Sequence, residues 1–252
     1  VLGTKEWSSV TINLPQAGCE HDCRYCYARD REVRRFKRMK PDQWGTPRPR
    51  KRKDESKYRR KYQGVVMTPS SHDITPNNVE SFIGMLRMLL EAGNRVLVVS
   101  KPHLSCIKRI CGALPAKFKK QVLFRFTIGA MENRLLRYWD RNAPLFWERH
   151  ASLRHAHDKG WATSVSCEPN LCGMGVIKLF HHLKPLVTET IWIGKLNDYK
   201  NRVKIETLED GNMVEELLSG QNDRVVMMIH EKLKNEPKVR WKDSYRDVIE
   251  GA

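Results

Sequence analysis

The strongest constraint on the fold is an alternation. Runs rich in β-branched and aromatic residues recur at 8–14 (SSVTINL), 64–68 (GVVMT), 95–100 (RVLVVS), 121–129 (QVLFRFTIG), 161–168 (WATSVSCE) and 189–194 (ETIWIG). Helical patterns separate them. The clearest carries Val79, Phe82, Ile83, Leu86, Leu89 and Leu90 at 3.6-residue spacing and stops at Gly93. Strands that alternate with helices predict parallel β/α units, and right-handed crossovers curl such units into a barrel or part of one. A length of 252 residues suits one large α/β barrel or two small domains. From about 200 onward the pattern is helical with a break at Pro237, which predicts a barrel over 1–200 and a helical C-terminal extension over 201–252.

Between the first strand and the first helix lies GCEHDCRYCYARD, residues 18–30. Cys19, Cys23 and Cys26 have the spacing C-x3-C-x2-C. In parallel β/α folds chemistry sits at the C-terminal ends of strands, which is where this loop falls. A structural zinc ion would need a fourth ligand from elsewhere. Three thiolates on one tight loop suit three irons of a 4Fe–4S cube and leave one iron open.

The formal charge is +17, from 46 basic and 29 acidic side chains, which favours an anionic partner such as nucleic acid. Residues 34–61 carry 14 Lys/Arg and three Asp/Glu. This insertion reads either as a solvated charge run or as an anion-binding arm. Arg48, Arg50, Lys51, Arg52 and Lys53 are its densest cluster. Phe36, Trp44, Tyr58 and Tyr62 are interleaved and would offer faces for base stacking. No apolar run is long enough for a membrane span, and the first residues lack the features of a signal peptide. Seven cysteines without a secreted disulfide pattern fit a reducing, cytoplasmic setting.

The motif C-x3-C-x2-C followed by an aromatic, after the first strand of a β/α chain, resembles the radical S-adenosylmethionine superfamily. That resemblance implies a partial (β/α)6 TIM-like barrel and a 4Fe–4S cluster whose open iron chelates S-adenosylmethionine. One electron, from a donor such as flavodoxin or ferredoxin, would then yield a 5′-deoxyadenosyl radical. Within the superfamily, CRYCY resembles the branch of spore photoproduct lyase, with Tyr25 and Tyr27 on either side of the third cysteine. The likeness makes Tyr25 a cofactor-side residue and Tyr27 a candidate catalytic one. VVSKP resembles a strand ending in a lysine that binds the cofactor carboxylate, here Lys101, and FRFTIG one with a hydroxyl residue at the cofactor, here Thr127. In TPSSHD, Ser70 and Ser71 stand where many of these enzymes bind the methionine amino group, and Glu168 in SVSCEP stands where adenosine is bound. The residue types fit a zwitterion: Lys101 supplies a cation, and the Ser70/Ser71/Asp73 loop supplies acceptors.

One departure matters. The lyase has a hydrogen-donating cysteine just after the second strand, and VVMTPSSHDI has none. Thymine-dimer repair is therefore not carried over, and Cys167 becomes the candidate substitute donor. Cys106-x4-Cys111 and Cys167-x4-Cys172 could hold a second cluster only if they met in space, and the first pair falls on an outer helix. His181, His182 and the histidines of RHAHD read as helix surface. Three functions stay open: a radical enzyme acting on nucleic acid, one acting on a peptide or metabolite, and a nucleic-acid-binding protein with a structural metal.

Overall fold

Val, Ile and Thr are stiff at χ1 and pack well on a pleated surface, so the runs that contain them become strands. The computed structural model describes residues 3–50 and 55–251. In chain order the strands are β1 (Val10–Thr11), β2 (Gln16–Ala17), β3 (Arg48–Pro49), β4 (Val65–Thr68), β5 (Arg95–Ser100), β6 (Val122–Thr127), β7 (Ala162–Cys167), β8 (Ile191–Ile193) and β9 (Val239–Trp241). Seven of them form one sheet in the order β1-β4-β5-β6-β7-β8-β9. Every pairing in it is parallel. Spatial order equals chain order, so each connection crosses over in the same sense and the sheet curls into an open, TIM-like barrel. The strands β2 and β3 form a separate antiparallel pair that ties the basic insertion to the cysteine loop.

All six expected strands are present. The first is shorter than the 8–14 expected: Val10 and Thr11 alone pair with β4, at an edge of the sheet. A seventh, β9, comes from the segment read as helical. It is three residues long, too short for a period to show, and is flanked by helices Asp223–Leu233 and Asp243–Glu250. Its ladder continues through Lys242 N–H to the carbonyl of Ile193 at 2.9 Å.

The core lies between the outer face of the sheet and the helices. Helix Val79–Glu91 buries Val79, Phe82, Ile83, Met85, Leu86, Leu89 and Leu90. Each such apolar side chain contributes about 1.5–3 kcal/mol of transfer free energy. Strand side chains alternate. Phe124, Phe126, Val165, Cys167, Ile191 and Ile193 belong to this outer core. The intervening residues point inward. Arg125 lies with its guanidinium carbon 4.7 Å from the Trp7 ring and 5.4 Å from the Trp192 ring, and donates to Ser164 Oγ at 3.0 Å.

The edges β1 and β9 do not pair, and ions span the opening. Glu6, just before β1, meets Lys242 at 2.7 Å and Arg246 at 2.6 Å, both just after β9. The sequence alone points to none of these three residues.

Candidate active site

The cysteine loop is held by its neighbours on all sides. Gly18 has φ +87°, and a Cβ there would stand 2.6 Å from the Trp44 carbonyl, which accepts from Cys19 N–H at 2.9 Å. Left-handed geometry and close approach together require glycine. Trp44 is 1% exposed and packs with Ala17, Cys19, Ala28 and Met39 in a small second core. Part of the basic insertion is therefore the floor of the cysteine loop. This revises the reading of its aromatics: Trp44 and Tyr58 are buried and Tyr62 is partly so, while Phe36 is exposed under the Arg38 guanidinium.

A cavity of about 620 Å³ opens at the C-terminal ends of the strands. It is lined by Cys19, Cys23 and Cys26, and also by Tyr25, Tyr27, Ser70, Ser71, Lys101, Thr127 and Glu168. Every residue the sequence offered for the metal or the small-molecule cofactor thus meets in one place. Cys167 does not. It is fully buried on the outer face of β7, between two residues, Ser166 and Glu168, that do line the cavity. The expectation that it could donate hydrogen fails on strand alternation, which turns neighbouring side chains to opposite faces.

Asp73 organises the mouth. Its Oδ1 accepts from Ser100 Oγ at 2.8 Å and from Lys101 N–H at 2.7 Å. Its Oδ2 lies 3.0 Å from His21 Nδ1 and 3.8 Å from Lys101 Nζ. Burial alone would raise its pKa, but Lys101 and His21 hold the carboxyl well below the usual carboxylate range. Both hydrogen bonds fall on Oδ1, and Oδ2 faces the two cations, so Asp73 positions Lys101 and His21 at the mouth. Ser70 and Ser71 are held in turn: Asn13 Oδ1 accepts both backbone N–H groups, at 2.6 and 3.1 Å, and Tyr27 OH donates to the Ser70 carbonyl.

Tyr25 reaches into the protein. Its OH donates to Asp140 Oδ1 at 2.5 Å, and Asp140 pairs with Arg149 at 2.8 Å, both charges being fully buried. Arg149 also donates to the carbonyls of Pro144 and Thr127, at 2.6 and 3.2 Å. The chain Tyr25–Asp140–Arg149–Thr127 ties the cysteine loop to the end of β6. Asp140 and Arg149 sit on or beside helices with no motif, so the sequence hid them. Lys242 was hidden for the same reason as β9. It lies 3.6 Å from Glu168, whose carboxyl burial pushes up to about 7 despite that lysine.

Burial pushes Cys19 up to about 12, with Asp73 adding to it, and raises Cys23 and Cys26 as well. Cys19 Sγ accepts from Asp73 N–H at 3.4 Å, and Cys26 Sγ from Arg29 N–H at 3.5 Å, bonds that favour thiolates. Among the described residues, the trio of possible ligand atoms lying within 4.8 Å of one another is Cys19, His21 and Asp73, not the three cysteines. Three thiols that line one cavity suit a cluster with one thiolate per iron. Cys106, Cys111, Cys167 and Cys172 form no such trio among the described residues, and Cys106 and Cys111 lie on the outer helix Leu104–Ala113. Of the basic cluster, Arg48 and Arg50 are exposed, while Lys51, Arg52 and Lys53 lie outside the described residues.

No family model and no curated protein matches the sequence. Solved structures do match the fold. Streptococcus suis SuiB bound to S-adenosylmethionine superposes with a TM-score of 0.54 at 11% identity, over 92% of this chain and 46% of that one. SuiB bound to its precursor peptide SuiA gives 0.56 at 10% identity, over 96% and 51%. Spore photoproduct lyase with bound AdoMet and dinucleoside spore photoproduct gives 0.54 at 12% identity, over 92% and 75%. The likeness is one of fold, and the chain spans about half the length of SuiB. No described helix is long and apolar enough to cross a membrane.

Proposed function

We propose that the chain is a radical S-adenosylmethionine enzyme that acts on a nucleic acid. The observation that carries this reading is the convergence of three cysteines with Tyr25, Ser70, Ser71, Lys101, Thr127 and Glu168 around one cavity at the strand ends. Cys19, Cys23 and Cys26 would hold the 4Fe–4S cluster. When bound, and supplied with an electron by a donor such as flavodoxin or ferredoxin, the cluster and S-adenosylmethionine furnish the radical that abstracts hydrogen. The chain's own groups bind and orient. Lys101, held by Asp73, offers N–H donors to a carboxylate, and the Ser70 and Ser71 hydroxyls suit an ammonium. Thr127 and Glu168, at the ends of β6 and β7, line the same cavity, where a nucleoside would find acceptors. Tyr27, exposed on the cavity lining, is the candidate catalytic residue. The buried walls exclude water from a reactive centre.

The charge balance favours nucleic acid as substrate. A peptide is the second reading, favoured by the equal likeness to SuiB bound to SuiA. Anaerobic reconstitution should give iron and sulfide near four per chain, as a 4Fe–4S cluster requires. Dithionite should then release 5′-deoxyadenosine. Replacing Cys19, Cys23 and Cys26 together with alanine should abolish both, and a full cluster in that variant would overturn the assignment. Incubation with DNA, RNA and peptide pools, followed by mass spectrometry, decides the substrate.

A further inference from the structure

Resting on that reading, we infer that a groove beside the cavity is a phosphate track, holding a single nucleic-acid strand with one nucleotide at the cavity mouth. The groove encloses about 640 Å³ and is lined by Arg31, Arg38, Arg48, Arg50 and Lys57. Ser71 lines both the groove and the cavity, so the two share a wall. They are also joined along one helical stretch. Tyr27 lines the cavity, and Arg31, four residues on and thus on the same face, lines the groove.

The arginines are prearranged. Glu32 is 5% exposed; it pairs with Arg50 and lies 3.7 Å from Arg31 Nε and 3.8 Å from Arg38 Nη1. One carboxylate under three guanidiniums leaves two positive charges in excess, and Arg48 and Lys57 extend the run. Each guanidinium has five donors in a rigid fork, so donors not turned to Glu32 remain for phosphate oxygens. Because the buried carboxylate already orders these side chains, less entropy is lost on binding. The form of the ligand follows from the cavity. It lies among the strand ends, and only a nucleotide turned out of a base stack can reach into it.

The test is anisotropy of short fluorescein-labelled single-stranded DNA and RNA on the reconstituted protein, from about 50 to 200 mM salt. Each phosphate contact on a single strand contributes about 0.7 to the slope of log affinity against log salt. Arg31→Gln/Arg38→Gln/Arg48→Gln, which leaves Arg50 on Glu32, should lower that slope by about 2. Arg48→Gln alone, which disturbs no contact to Glu32, should lower it by about 0.7 and guards against misfolding of the triple variant. Slopes equal to wild type in both variants would overturn the inference, as would polyglutamate competing as well as the oligonucleotides do. 5′-Deoxyadenosine formation by the wild-type protein is followed separately. Its absence would count against the radical-enzyme reading, while altered slopes would still support the track.

Discussion

Replacing Arg149 with methionine should unfold the protein's hold on its own cysteine loop. In the wild type the guanidinium is fully buried and makes three contacts: Asp140 at 2.8 Å, the Pro144 carbonyl at 2.6 Å and the Thr127 carbonyl at 3.2 Å. Methionine fills much of the volume but leaves the Asp140 carboxylate in the interior with the Tyr25 hydroxyl as its direct partner. Removing one member of a buried pair costs about 3–5 kcal/mol, chiefly because the other charge stays desolvated. With a urea slope of about 3 kcal/mol per molar, the midpoint should fall by roughly 1–1.7 M. A second variant separates charge from packing. Arg149→Met combined with Asp140→Leu removes both charges and should be more stable than Arg149→Met alone, since an apolar replacement of a buried pair is often close to neutral. The sign of the pH effect follows. Burial works to raise the Asp140 carboxyl, but Arg149, Lys101 and Tyr25 hold it below the usual range, so it stabilises the native state at neutral pH and loses that contribution on acidification. In Arg149→Met that acid-side loss should shrink. The assay is equilibrium urea unfolding of the cluster-free protein by tryptophan fluorescence, at neutral and acidic pH. A single variant within about 1 kcal/mol of wild type, or a double variant whose loss is the sum of the singles, would refute the reasoning.

Two further outcomes follow from the cavity. Lys101→Ala should weaken S-adenosylmethionine binding tenfold or more by calorimetry, because a hydrogen bond to a charged group contributes about 1.5–3 kcal/mol; unchanged affinity would remove Lys101 from the cofactor site. Burial raises Glu168 from 4.5 to about 7, against the pull of Lys242, so its native form keeps a proton that the unfolded chain releases. Stability should therefore decline as pH rises between about 4.5 and 7, by up to about 3 kcal/mol, and Glu168→Gln should flatten that decline in urea titrations; an identical pH profile would show the carboxyl to be solvated.

Much of the molecule was written locally. The six expected strands and the helix Val79–Glu91 were legible because hydrophobic period is a property of neighbouring residues. The cysteine motif carried a resemblance to a known superfamily, and the residues that the resemblance implied, Tyr25, Ser70, Ser71, Lys101, Thr127 and Glu168, line one cavity with the cysteines. Tertiary structure decided the rest. A three-residue strand such as β9 carries no period and forms only because β8 offers it an edge. Cys167 sits in the right strand but on the wrong face, a matter of register that a residue type cannot reveal. Asp73 looks like a free acceptor in sequence and lies against Ser100, Lys101 and His21 once the strands align. The buried pair Asp140–Arg149 and the convergence of Arg31, Arg38 and Arg50 on Glu32 are relations between distant residues. Periodicity and motif are carried along the chain, whereas the desolvation that gives these charges their strength exists only where the folded chain brings them together and excludes water.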